Sequence, residues 1–290
     1  MKVLITGCHG QVGTALMALA SSYSLQAVGF DHDTLDITDQ DAVLACVTQE
    51  KPSAIINAAA YTAVDKAESD KDTTFAVNAT AVGYLAEACA LHDIPLLHIS
   101  TDYVFDGSKS GAYVEDDSVA PLGVYAESKL AGEEAVRKLC EKHYIFRTSW
   151  MFSAHGNNFV KTMLRLGKER DTLGVVSDQY GKPTAAREIA HTLYKMLTSK
   201  QQAWGTYHIA QPEACSWFDF ADSIFQEARK QGIPLALETL NAIGTADYPT
   251  PAQRPQNSAL DCAKLEETFN LTIKPWQGSL AKVIEELKDV

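Results

Sequence analysis

The sequence predicts an α/β protein, a doubly wound parallel sheet with a smaller, mixed C-terminal unit. Three observations carry that reading: short β-branched runs alternate with segments of helical spacing through the first half, a glycine-rich turn follows the first run, and the alternation loosens beyond Trp150. The 290 residues are enough for one large domain or for two that share a core.

The first four strands are read at residues 3–5, 25–30, 54–57 and 96–100. Between them lie segments with helical spacing, such as Phe75, Val82, Leu85, Ala86 and Cys89. Strand, helix and strand in that order make a parallel sheet wrapped on both faces. A helix over about 124–141 then leads into a fifth strand at 144–147. Farther on, helical segments at 159–167, 187–197 and 217–230 surround one strand-like run at 206–209. Loops are expected at 156–158, at 181–184 and at 248–258, where three prolines sit in a polar setting. No linker-like tract separates the halves, so they are expected to pack together around a cleft, and the chain can cross back to its first half.

Composition narrows the partners. With 37 acidic against 25 basic side chains the net charge is −12, which argues against a surface built to grip nucleic acid. No uninterrupted apolar run reaches the roughly eighteen residues of a membrane span, so no membrane partner is expected. Six cysteines, at 8, 46, 89, 140, 215 and 262, lie too far apart for a metal knuckle or a redox pair and read as buried, reduced thiols. Met1 runs straight into a strand without the pattern of a secretory leader, and the expectation is a cytoplasmic protein.

Gly7-Cys8-His9-Gly10-Gln11-Val12-Gly13 joins the first strand to a helix. Glycine there permits the tight turn and lets backbone N–H groups approach a pyrophosphate, whose charge is favoured at a helix N-terminus. Asp31 follows the second strand, where a carboxylate can accept hydrogen bonds from an adenosine ribose, and no arginine stands beside it, which leans toward NAD(H). These features mark a Rossmann-type dinucleotide-binding domain over 1–150, leaving 151–290 as mainly a substrate domain.

Tyr125-Ala126-Glu127-Ser128-Lys129 puts a phenol and an ammonium on one helix face. A nearby cation favours the phenolate form and so tunes an acid–base tyrosine. Thr101, at the C-terminal edge of the fourth strand, is placed to hydrogen-bond a substrate carbonyl alongside Tyr125, and Asp102 to hold a substrate hydroxyl.

Together these constellations resemble the extended short-chain dehydrogenase/reductases, whose pattern is Gly-x-x-Gly-x-x-Gly, a strand-end Ser or Thr, and Tyr-x-x-x-Lys. Residues 57–68 (NAAAYTAVDKAE) and 100–105, Phe146-Arg147-Thr148-Ser149-Trp150 and Arg254-Pro255-Gln256-Asn257-Ser258 are, within that group, similar to the dTDP-4-dehydrorhamnose reductase family over nearly the whole chain. The resemblance implies reduction of the 4-keto group of dTDP-4-dehydro-L-rhamnose by NADH or NADPH, the last step in making dTDP-L-rhamnose for cell-surface polysaccharide. It implies that Tyr125 donates the proton, that Lys129 holds the nicotinamide ribose and lowers the Tyr125 pKa, and that Thr101 orients the phenol. Gly7, Gly10, Gln11, Val12, Gly13, Asp31, Asp36, Ile37, Ala60, Tyr61, Thr62 and Ile99 would then line the cofactor, and Thr101, Asp102 and Trp150 the sugar. Arg254 would meet the pyrophosphate, with Lys161 and Asn158 as weaker candidates, and Asn78 would relay a proton through water to Lys129.

Some family members bind Mg²⁺ at a dimer contact through carboxylates, and this chain has Ala15 and Arg187 at two of those places. Hard oxygen ligands are missing there, so no metal is expected and the state implied is a monomer or weak homodimer. Related 4-ketoreductases or epimerases of different C4 outcome, and non-catalytic regulatory subunits of methionine adenosyltransferase, remain alternatives. A 4,6-dehydratase needs a second carboxylate after the strand-end Thr, where this chain has Tyr103.

Overall fold

The computed structural model describes residues 1–288. Its central sheet is built from β1 (Lys2–Thr6), β2 (Gln26–Phe30), β3 (Ala54–Asn57), β4 (Leu96–Thr101), β5 (His143–Thr148) and β6 (Gly205–Ile209). All six run parallel, in the order β6-β5-β4-β3-β1-β2. β3 and β4 are buried at every position, so their apolar runs do not alternate with polar residues.

Two apolar layers sandwich the sheet. On one face Val3, Ile5, Leu97 and Phe146 meet α1 (Gln11–Leu19) and a later helix over Ala186–Thr198. On the other, Leu4, Ile55 and Ile145 meet the Gln40–Glu50 and Ala81–Leu91 helices and α2 (Val124–Leu139). The chain does cross back: the Ala186–Thr198 helix packs on α1, where Tyr194 donates to the Leu16 carbonyl at 2.8 Å, and β6 extends the sheet beyond β5.

A separate core gathers Phe152, Val160, Leu164, Phe220, Ile224 and Trp276 from the rest of the second half. It is framed by helices Phe159–Glu169, Trp217–Lys230 and Trp276–Lys288 and by a parallel pair of strands, Thr172–Val176 with Thr239–Ile243.

Two details refine the sequence reading. The helical spacing from Phe75 to Cys89 conceals a π-helical turn at Ala76–Thr80, so Lys71–Leu91 is one interrupted helix. That helix is long enough, and at a mean hydropathy of 1.2 apolar enough, to resemble a membrane span, yet half of it is buried in the fold. All six cysteines are free, but Cys46 and Cys215 are half-buried rather than buried. Cys46 flanks the Val43 and Val47 stripe that its helix turns inward.

Candidate active site

The strand order reverses between β1 and β3, and the glycine turn sits at that point, where open α/β sheets place their ligands. Gly7 has φ +68°, and a side chain there would bring Cβ within 2.7 Å of the Ala59 backbone. A Cβ on Gly13 would stand 2.1 Å from the Gly7 carbonyl oxygen. Gly13 therefore does not line the cleft; it lets α1 close against the turn. Gly10 caps α1 without a side-chain hydrogen bond, which leaves first-turn N–H groups free for an anion.

The cleft has a volume of about 530 Å³. Gly7, Gly10, Gln11 and Val12 form one wall, and Asp31, Asp36 and Ile37 close one end. Ala60 and Thr62 line another side, and Ile99, Tyr125 and Lys129 also face it. The Thr34 hydroxyl, at 2.7 Å, holds the Asp31 carboxyl below its usual range, and His9 Nδ1 lies 2.9 Å from its other oxygen. Tyr61 is a correction: it is not on the cleft, because its hydroxyl donates to Asp70 and its N–H to the Asn78 side chain. Gly156 and Asn157 of the second unit also reach this cleft, and Gln11 Oε1 accepts from Ser153 and Asn158 at 3.1 Å each, tying the two units together.

Tyr125 and Lys129 lie one turn apart on α2, as their spacing predicts. Lys129 Nζ donates to the Ile99 carbonyl at 2.7 Å. Burial lowers its pKa to about 8, offset in part by Glu133. Tyr125 behaves opposite to expectation: burial raises its phenol to about 12, the Thr101 hydroxyl opposing and the Asp102 carboxyl adding to the rise. Desolvation is the largest of these effects, and the phenol stays protonated, the form a proton donor needs.

Farther along α2, fully buried Glu133 accepts from Ser100 of β4 at 2.6 Å and from Arg147 of β5 at 3.0 and 2.8 Å. Burial would raise its carboxyl, but the Arg147 contacts win and hold it low. This hydrogen bond and ion pair tie α2 to two adjacent strands. Asn78, by contrast, is engaged elsewhere: its amide binds the Tyr61 N–H and carbonyl and the Ser128 hydroxyl, so the π-helical turn that presents it is a clamp.

A second cavity of about 550 Å³ lies among Asp65, Tyr103, Phe159, Trp217, Arg254 and the 172–176 strand. Arg254 lines it as a cation, but its guanidinium also grips Asp65, with Nη2 at 2.8 Å from Oδ2. Sequence reasoning passed over Asp65, although it stands inside the 57–68 run. Trp150 lies face to face with Trp217, centroids 3.5 Å apart, and it is Trp217 that lines the cavity. Nothing local in the sequence marks Trp217. Trp150 adopts φ +46°, and its ring covers Gly181, where a Cβ would be 2.4 Å away. Thr101 and Asp102 are buried behind Tyr125 and line neither cavity. Lys161 lines neither, and Asn158 is spent capping its helix and binding Gln11; both are set aside as pyrophosphate contacts.

Residues 1–289 match the model of the RmlD substrate binding domain family. The chain is 46% identical to the dTDP-4-dehydrorhamnose reductase of Aggregatibacter actinomycetemcomitans over 97% of this chain and 98% of that one. Its fold superposes on a dTDP-4-dehydrorhamnose reductase from Clostridium acetobutylicum with a TM-score of 0.93 at 38% identity, covering 99% and 100% of the two chains. It superposes equally on the Bacillus anthracis dTDP-4-dehydrorhamnose reductase solved in complex with NADP, with a TM-score of 0.92 at 37% identity over 98% and 99% of the chains. The site geometry and these likenesses agree, and the chain belongs to the RmlD substrate binding domain family, that of the dTDP-4-dehydrorhamnose reductases.

Proposed function

We propose that this protein reduces the C4 ketone of dTDP-4-dehydro-L-rhamnose to dTDP-L-rhamnose with NADH or NADPH. The observation that carries the reading is the placement of Tyr125 and Lys129 on the cleft that the glycine turn opens, with Thr101 directly behind the phenol.

The reduced nicotinamide supplies a hydride to the sugar C4. The free N–H groups of Gln11 and Val12 would hold the cofactor pyrophosphate, Asp31 its adenosine ribose and Lys129 its nicotinamide ribose, with Ile99 on the same cleft. No arginine stands at Asp31, but the Bacillus anthracis relative is solved with NADP, so either nicotinamide is open to this chain. Tyr125 gives its proton to the ketone oxygen. Arg254 draws the sugar nucleotide's pyrophosphate into the second cavity, beside the Trp150–Trp217 stack. In this reading residues 1–150 chiefly hold the cofactor and 151–290 mainly the sugar nucleotide. The protein works in the cytoplasm as a monomer or weak homodimer without a Mg²⁺ bridge, since Ala15 and Arg187 supply no oxygen ligand.

The test is turnover of dTDP-4-dehydro-L-rhamnose with NADH by the purified protein, followed by NMR of the sugar. Stoichiometric NADH consumption and an L-rhamno product are expected. No oxidation by the wild type, or full activity in Tyr125→Phe, overturns the reading, and an L-talo product corrects the stereochemistry.

A further inference from the structure

Gln11 stands in the first turn of α1 and lines the cofactor cleft with Gly10 and Val12. Its side chain is held from the second unit. Asn158, the N-cap of the Phe159–Glu169 helix, accepts the Lys161 N–H at Oδ1, 3.2 Å away. Asn158 Nδ2 donates to the Ser153 carbonyl at 2.8 Å and to Gln11 Oε1 at 3.1 Å. Ser153 Oγ also lies 3.1 Å from Gln11 Oε1, but it has one proton to give and the His155 carbonyl is nearer, at 2.7 Å. Asn158 is therefore the standing donor to Gln11. Gly156, at φ +65°, lets the 153–158 loop come this near, since a Cβ on it would stand 3.2 Å from Gln11 Cγ.

These bonds decide which end of each amide is which. The backbone N–H at the helix cap can meet only an acceptor, so the capping atom of Asn158 is its oxygen and the other end is its NH₂ group. That NH₂ group can in turn meet only the oxygen of Gln11. Gln11 Nε2 is left over, with no hydrogen-bond partner among the described residues.

Building on the reductase reading, we propose that Asn158 is a positioning residue for cofactor binding: by holding Gln11 Oε1 it makes Gln11 Nε2 a side-chain donor to the pyrophosphate of the nicotinamide cofactor. An amide free to turn end for end would present oxygen to the phosphate as readily as nitrogen, and an oxygen facing an anion repels it. The backbone N–H groups that open α1 need no such control. The second unit thereby takes part in the first cleft. The helix that Asn158 caps brings Phe159, Thr162 and Met163 to the second cavity, so the residue that begins that wall also sets a donor on the cofactor side.

The test is NADH affinity, read by fluorescence titration without turnover, in Asn158→Ser, Gln11→Ala and the double variant. Serine caps a helix as well as asparagine does and adds no charge. The melting temperature of Asn158→Ser should therefore stay within about 3 °C of wild type, while NADH binds roughly 3–10-fold more weakly. Gln11→Ala should lose at least as much. Adding Asn158→Ser to it should cost nothing further, because the amide that Asn158 orients is gone. Wild-type affinity in Asn158→Ser overturns the proposal. A second loss of equal size in the double variant overturns it too, since Asn158 would then act without Gln11, as a prop for its loop. A wild type that binds no NADH removes the reductase reading itself, a failure visible before any variant is made.

Discussion

The cofactor cleft and the second cavity are nearly equal in size, about 530 and 550 Å³, but they are built from different materials. Backbone makes much of the first: a glycine turn, the open end of α1 and the ends of parallel strands. Side chains from distant segments make the second, with Asp65, Tyr103, Phe159, Trp217 and Arg254 drawn from across the chain. A backbone site tolerates little change in shape, whereas a side-chain site loses its contacts one at a time. Tyr125 faces the first cavity and Tyr103 the second, with the two rings edge to face at 6.1 Å, so the proposed chemistry sits at the boundary.

The largest effect is expected at that boundary. Tyr125→Phe removes the proton donor while keeping the ring, and NAD(P)H oxidation should fall by about 10²–10⁴-fold. Comparable binding of cofactor and sugar nucleotide by the variant would place the loss in the chemistry; a loss confined to binding would argue that Tyr125 only shapes the wall.

The next pair sets the two cavities against each other. Gly13→Ala should damage the first as a unit: with a Cβ 2.1 Å from the Gly7 oxygen the turn must move, costing about 1–3 kcal/mol of stability and weakening NADH affinity. Arg254→Ala should act on the second alone, raising the Michaelis constant for the dTDP-sugar by roughly 10–100-fold, the worth of a charged hydrogen-bonded contact, with NADH binding unchanged. Thermal melts and separate titrations of the two ligands check both. Matching losses for both ligands in Arg254→Ala would mean that the Asp65–Arg254 pair supports the whole cleft.

The same contrast explains what the sequence revealed. The cofactor cleft was legible because its parts are local: glycines at fixed intervals after a strand, an acid after the next strand, and a Tyr and Lys one turn apart. Errors there came from side chains with competing partners, such as Tyr61 held by Asp70 and Asn78. The pKa of Tyr125 was misjudged because burial is a tertiary property, whereas the Lys129 spacing is visible in the chain. Of the residues lining the second cavity only Arg254 could be named, and only through resemblance; Trp150, named with it, lies behind Trp217. Asp65 and Trp217 gain their places from folding, one by pairing with a residue 189 positions away and the other by stacking on Trp150. The return of residues 186–209 to the sheet likewise rests on Leu193 and Tyr194 finding the α1 face and on Tyr207 packing against Tyr144 and Phe146, which no local pattern shows.

Trp217→Ala probes whether the stack matters to the ligand. Losing the aromatic pair should cost about 0.5–1.5 kcal/mol, a roughly 2–10-fold rise in the sugar-nucleotide Michaelis constant with cofactor affinity intact. An unchanged constant would leave the stack a structural prop for the strained Trp150 backbone.

The smallest effect is a titration on the cofactor side. Burial has brought Lys129 down to about 8, so below that pH Nζ is an ammonium and above it an amine. If Lys129 holds the nicotinamide ribose chiefly by charge, cofactor binding favours the protonated form. NADH affinity should then be steady below pH 8 and weaken severalfold as pH rises through it. Asp31 and Asp36 have lowered pKa values and stay ionised throughout this range, so they contribute no slope. Fluorescence titration of NADH against pH measures the effect, and Lys129→Arg isolates it, because a guanidinium keeps its charge across the range. A pH slope in wild type that disappears in the arginine variant assigns the titration to Lys129. A wild-type affinity that stays flat through pH 8 means that Nζ contributes through its hydrogen-bond geometry alone, since the amine keeps two donors and the Ile99 carbonyl needs only one.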